Sequence, residues 1–381
     1  MEIYSVEHYT ALRRAAEAGQ PIGTASTGPA LVAAVSGHAL GFRVNWRYSR
    51  RQPALISSFL NSTMTSASLS APPAAPSAPT LSALRPLRGV RVLSLALNLP
   101  GPAALMRCQQ MGATCVKLEP PPPASASGEA IAGASGDPMA LYNRTAYAAM
   151  HQGVRLAVAD LKTEKGQKAL HRELVKADVL LTSFRPSALR KLGLDWKLLH
   201  KLYPALSLVT IVGAPGARAE EPGHDLTYLA ENNLVSGLDM PPTLYADMGG
   251  SLMATEAVLQ TVLMQRQKGK GVCIEVALSE AAGYLALPRT WGLTQPGAAV
   301  GGGHAGYRVY PCKDGRVAMA ALEPHFAKSL CAAAGVQNAS VKSMMAPATH
   351  QLIADYLLSM TRKALDKLAC ERDIPLYTLS K

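Results

Sequence analysis

The sequence predicts an α/β fold, with a parallel-sheet large domain followed by a smaller α+β domain. Three observations carry this expectation. From Arg85 onward, short β-branched and aliphatic runs alternate with helical stretches, as in successive βαβ units. Past Arg289 that rhythm stops at Gly301-Gly302-Gly303 and a hairpin-like pair follows. At 381 residues, the chain is long enough to bury two cores.

Taken in order, residues 8–18 read as a helix and 61–82 as a Ser/Ala/Pro-rich linker whose composition buries too little apolar surface to order itself. Residues 1–60 form an unassigned N-terminal extension, 61–84 the linker, 85–290 the large domain and 291–381 the small one. Within the large domain, residues 91–97 predict a strand, 101–111 a helix and 114–118 a second strand. Residues 155–160 predict a strand, 164–176 a helix with Thr163 as its N-cap, and 179–182 and 207–212 two further strands. A long apolar helix is expected over 250–267, stopped by Lys268-Gly269-Lys270-Gly271, with a strand at 272–277. The hairpin pairs 307–311 with 316–320 around Lys313-Asp314-Gly315. Such a sheet takes ligands beyond the carboxyl ends of its strands.

Charge narrows the partners. Lys and Arg number 38 against 26 Asp and Glu, a net charge of +12 that favours polyanions. The basic residues are scattered, with no run of five and no nucleic-acid-reading motif, so a phosphorylated small molecule is favoured over nucleic acid. No apolar run approaches the roughly 20 residues that span a bilayer, and Glu2 and Glu7 stand where a targeting segment carries positive charge. The six cysteines form no CxxC pair, which fits a reducing cytoplasm. The triple glycine lacks the GxxxxGK[ST] pattern, and His304 and His325 fall outside tight metal-ligand spacing, so no metal is predicted.

The segment richest in chemistry runs from Pro222 to Gly250. It sets His224 upstream of a second acid-base group, Asp247. An imidazole and a carboxylate in one cleft are able to move a carbon-bound proton.

The words around this pair, Pro-Gly-His-Asp-Leu-Thr-Tyr-Leu-Ala and Tyr-Ala-Asp-Met-Gly-Gly, resemble the active-site words of the class III CoA-transferase (CaiB/BaiF) family, most of all its α-methylacyl-CoA racemase branch. Other words follow in the family's order. They include Leu87-Arg88-Gly89-Val90-Arg91-Val92-Leu93, Pro100-Gly101-Pro102, Val116-Lys117-Leu118-Glu119, Phe184-Arg185-Pro186, Arg190-Lys191-Leu192-Gly193 and Leu322-Glu323-Pro324-His325-Phe326. The resemblance implies a Rossmann-like large domain, a small α+β domain and an interlocked homodimer. It implies His224 and Asp247 as the catalytic pair, with Glu323 orienting it, and Arg155, Phe184, Arg185, Arg190 and Lys191 around coenzyme A. The substrate would be an acyl-CoA, with coenzyme A as part of it and no tightly bound cofactor. Backbone N–H groups of Gly249, Gly250 and Ser251, at the start of the long helix, would face the thioester oxygen.

This sequence departs from the family pattern at Pro120, where an arginine is usual, at Thr243, where an asparagine is usual, and at His151-Gln152-Gly153-Val154. Three functions therefore stand at this stage. The first is epimerisation of an α-methylacyl-CoA by 1,1-proton transfer. The second is CoA transfer between carboxylic acids through an aspartyl intermediate. The third is non-catalytic acyl-CoA binding.

Overall fold

The computed structural model describes residues 84–122 and 135–380. The helix expected over 8–18 and the linker over 61–82 lie outside the described residues. In chain order the elements are β1 (Arg91–Ser94), α1 (Pro100–Gln110), β2 (Thr114–Glu119), α2 (Met139–Tyr142), α3 (Arg144–Met150), β3 (Arg155–Val158), α4 (Glu164–Leu174) and β4 (Val179–Thr182). They continue with α5 (Pro186–Lys191), α6 (Trp196–Leu202), β5 (Ser207–Val212), α7 (Asp225–Glu231), α8 (Tyr245–Lys268), β6 (Cys273–Ala277), α9 (Leu278–Leu285) and α10 (Leu287–Thr290). The last group is β7 (Tyr307–Cys312), β8 (Gly315–Ala320), α11 (Pro324–Ala334), α12 (Val341–Met344), α13 (Pro347–Ser359), α14 (Arg362–Arg372) and β9 (Leu376–Leu379).

The first six strands form one parallel sheet in the order β3-β2-β1-β4-β5-β6. Its central strands are apolar on both faces, as a sheet covered on both sides requires. Val92, Leu181, Val209 and Ile211 pack under α1 and α8, while Leu93, Leu180 and Leu208 meet α4 and α6 on the other face. The chain runs from β1 outward to β3, then crosses to β4, so the topological switch lies between β1 and β4. That is where such a sheet opens a crevice at its carboxyl ends.

Local signals act as the sequence reading expects at several boundaries. Thr163 caps α4 by accepting from the N–H of Gly166, and Gly269 ends α8 in the left-handed conformation at φ 66°. The hairpin forms between β7 and β8, with Cys312 opposite Gly315. A third strand, β9, and three long helices complete this smaller antiparallel unit around its own core of Val317, Leu330, Ile353 and Leu365.

Two boundaries differ by three residues or more. β1 stops at Ser94, because Leu95 to Asn98 bend into the loop that leads to α1 and Asn98 takes a left-handed φ of 66°. The long helix begins at Tyr245, upstream of the glycine pair. Gly249 and Gly250 are interior positions at which α9 approaches closely, since a Cβ on Gly250 would overlap Leu278 and one on Gly249 would come within 3.1 Å of Leu285.

Candidate active site

A cleft of about 160 Å³ opens at the switch point. Leu97 and Asn98 after β1, Ser183 after β4 and Gly213 after β5 supply its floor, and α7 and α8 bring His224, Tyr228 and Asp247 to its wall. His224 and Asp247 thus share one cavity although they sit on different helices.

His224 is the N-cap residue of α7, in extended backbone geometry and exposed. Its N–H donates to Thr227 Oγ1 at 3.1 Å, and the Thr227 hydroxyl donates to the His224 carbonyl at 2.7 Å. This exchange fixes the backbone from which the imidazole projects. Asp225, next in sequence, is buried, and its Oδ1 accepts from the backbone N–H of Asp247 at 2.9 Å, clamping the first turn of α8 to the first turn of α7.

Burial raises the Asp247 carboxyl from 3.8 to about 6, and the nearby Asp225 charge adds to the rise. Tyr228 is buried, and its hydroxyl lies so close to Gly213 and Gly223 that neither position has room for a Cβ. Burial first, then the Asp247 charge, keeps its phenol above the usual range, so it remains an O–H donor at neutral pH.

The remaining sequence candidates divide. Arg185 lines the cleft, while Phe184 beside it packs into the sheet's second core. Arg190 and Lys191 end α5, of which Arg185 is the N-cap; Arg190 pairs with Glu220 at 3.8 Å, and Glu220 also accepts from the Ser187 N–H and hydroxyl. Arg155 begins the edge strand β3 and is taken up by Glu173 at 2.6 Å, outside the cleft lining. Glu323 is the exposed N-cap of α11 and is not among the cleft residues of its own chain. The N–H groups of Gly249, Gly250 and Ser251 do not face the cleft as free donors, because inside α8 they are spent on the helix's own i−4 carbonyls. Sequence reasoning missed Asp225 and Tyr228, although both stand in the Gly-His-Asp-Leu-Thr-Tyr word.

One cluster among the described residues has metal-capable groups in reach of one another, Glu119, Asp137 and His151. The Lys117 ammonium already contacts all three, at 3.0 Å from Glu119 and 3.0 Å from His151, and supplies the positive charge a cation would bring.

The family model for CoA-transferase family III matches residues 87–381. The chain belongs to that family. Among family III relatives, the α-methylacyl-CoA racemase of Mus musculus is 29% identical over 280 residues, covering 69% of this chain and 68% of the racemase. The cinnamoyl-CoA:phenyllactate CoA-transferase of Clostridium sporogenes is 31% identical over 209 residues, covering 51% of this chain and 50% of the transferase. The chain therefore spans about half the length of that transferase. A CaiB/BaiF family protein from Brucella suis shares the fold at a TM-score of 0.60 and 21% identity, over 78% of this chain and 85% of that one. A protein from Mycobacterium tuberculosis, Rv3272, does so at 0.64 and 22%, over 78% and 84%. The family III membership accounts for a Rossmann-like sheet joined to a small antiparallel unit, and the relatives' names describe chemistry on CoA-linked acyl groups.

Proposed function

We propose that this family III protein epimerises an α-methylacyl-CoA by 1,1-proton transfer between Asp247 and His224. The supporting observation is a carboxyl raised to about 6 in the same cleft as an imidazole, at the carboxyl end of the sheet. A carboxylate with affinity for a proton near neutrality is suited to take one from carbon and to give one back. In one direction Asp247 removes the α-proton while the C–H electron pair moves into the thioester, forming an enolate. His224 then delivers a proton to the other face, and the carbonyl re-forms. The Tyr228 hydroxyl is the donor this reading assigns to the enolate oxygen.

Coenzyme A would lie along α5, with Arg185 at the cleft and Arg190 and Lys191 one turn further for its phosphates. Arg155 stays with Glu173 in this reading. Glu323 would reach the pair from a second copy in a homodimer, which the exposed Met248, Leu252 and Tyr284 on adjoining helices also favour. No helix among the described residues is long and apolar enough to cross a membrane.

The second reading, CoA transfer, rests on the same carboxyl and on the clostridial relative. Asp247 would attack the thioester carbonyl and expel CoA thiolate to form a mixed anhydride. The thiolate would then attack the aspartyl carbonyl, releasing the first acid and leaving CoA on Asp247 as a thioester; an incoming carboxylate would reverse both steps, taking CoA and freeing the aspartate.

One experiment separates them. The purified protein is incubated with (R)-2-methylacyl-CoA in deuterated water, with and without a free carboxylic acid. Epimerisation predicts deuterium at the α-carbon without acceptor, lost in His224→Ala and Asp247→Asn. CoA appearing on the acceptor, with no α-exchange and with His224→Ala still active, would replace the proposal by the transferase.

A further inference from the structure

We infer that Asp137, outside the cleft, is a positioning residue that locks the backbone of Asn98 into the cleft floor. The inference rests on the reading above only for its effect on turnover; the lock itself is a property of the fold.

Lys117 lies on β2 with no exposed surface, on the same strand face as Glu119 two residues on. Its ammonium reaches Glu119, Asp137 and His151, so its three donors all have partners. His151 Nδ1 lies 2.6 Å from the Tyr147 carbonyl, which assigns the ring proton to Nδ1 and leaves Nε2 to accept from Lys117. Glu119 is held in turn by the Tyr147 hydroxyl at 2.8 Å and by Ser135.

Asp137, equally buried, divides its oxygens. Oδ2 takes the Lys117 ammonium; Oδ1 accepts from the backbone N–H groups of Asn98 at 3.0 Å and Met139 at 2.9 Å. The neighbouring N–H, that of Leu97, donates to Ser183 Oγ at 3.1 Å. Two successive amides are thus tied to side chains from two different parts of the chain. Leu97, Asn98 and Ser183 line the cleft, and Asp137 does not.

Such a tie selects one conformation of Asn98. A non-glycine residue at φ 66° is held in a conformation that persists where its surroundings over-determine it. A buried ion pair adds little stability over apolar side chains of the same volume, so what this one gains is geometry. The ammonium fixes the carboxylate, the carboxylate fixes Asn98, and the floor beneath His224 and Asp247 keeps its shape.

The test uses the full chain and two readouts. In the unmodified protein the Leu97 and Asn98 amides should exchange with deuterated water as slowly as strand amides. Exchange there at open-loop rates overturns the inference, whatever any variant does. In Asp137→Ala, Asn98 amide exchange should rise by about tenfold or more, as expected for losing a hydrogen bond to a charged group. α-Proton exchange at saturating thioester should fall by a similar factor, while Asp137→Asn, which retains an oxygen acceptor, should stay within about threefold of wild type. Adding Asn98→Gly to Asp137→Ala should recover turnover, because glycine accepts the left-handed φ without the anchor. A folded Asp137→Ala protein with wild-type amide exchange overturns the inference, and so do Asn and Ala variants equally impaired. A wild-type protein without α-exchange sinks the epimerase reading and leaves the lock to be judged on the amides.

Discussion

Asp225 Oδ1 accepts a 2.9 Å hydrogen bond from the backbone N–H of Asp247, so a buried carboxylate both positions its neighbour and repels its charge. Asp225→Asn retains an oxygen for that hydrogen bond and removes the charge. Its acid limb in a pH profile of α-proton exchange should lie below that of the wild type. The displacement should be partial, because burial is the larger cause of the raised Asp247 value.

Asp247 itself links pH to stability. The folded protein holds this proton up to about pH 6, whereas the unfolded chain releases it near 3.8. Wild-type stability therefore falls as pH rises between those values, where the native state binds the extra proton, and stays lower above them. Asp247→Asn should lack this decline and gain on the order of 1–2 kcal/mol in denaturant melts at pH 7. The same variant should lose about 10²-fold or more in α-exchange.

Gly223→Ala places a Cβ about 2.6 Å from the Tyr228 hydroxyl, so the ring must shift within the cleft. Turnover should drop more than stability, by about tenfold against a loss of about 1 kcal/mol. Steady-state kinetics and a thermal melt on one preparation check both.

Lys117→Met leaves Glu119 and Asp137 buried without their cation. The expected loss is about 3–5 kcal/mol, read by urea unfolding. A smaller loss should accompany Lys117→Met combined with Asp137→Asn, which leaves one buried carboxylate, Glu119, without its cation in place of two.

The sheet was legible because each of its strands carries its own signal. Val179–Thr182 and Ser207–Val212 are short, fully buried runs dominated by aliphatic residues, Thr163 marks a helix start through its side-chain oxygen, and Gly269 marks a helix end through its left-handed backbone. Gly249-Gly250 misled because a glycine pair reads alike at a helix start and at a close helix crossing. Only the partner, Leu278, distinguishes the two, and it comes from the next helix.

The candidate site was legible in part for the same reason. His224 and Asp247 stand in short recognisable words, and the fold brings both to one cleft. The Asp225 clamp joins a side chain to an amide of another helix, and the Lys117 cluster joins a strand to residues 20 and 34 positions further along the chain. Neither pairing has a local pattern. Arg155 reads as a phosphate contact in the sequence, and its ion pair with Glu173 on α4 has no local pattern that announces it.

Lys117 also makes a built-in reporter of the native state. An amine with no exposed surface and three close partners is out of reach of acylating reagents, while the chain's surface lysines react freely. Modification at that single position would therefore mark molecules whose interior has opened, and its absence would mark those that kept their shape.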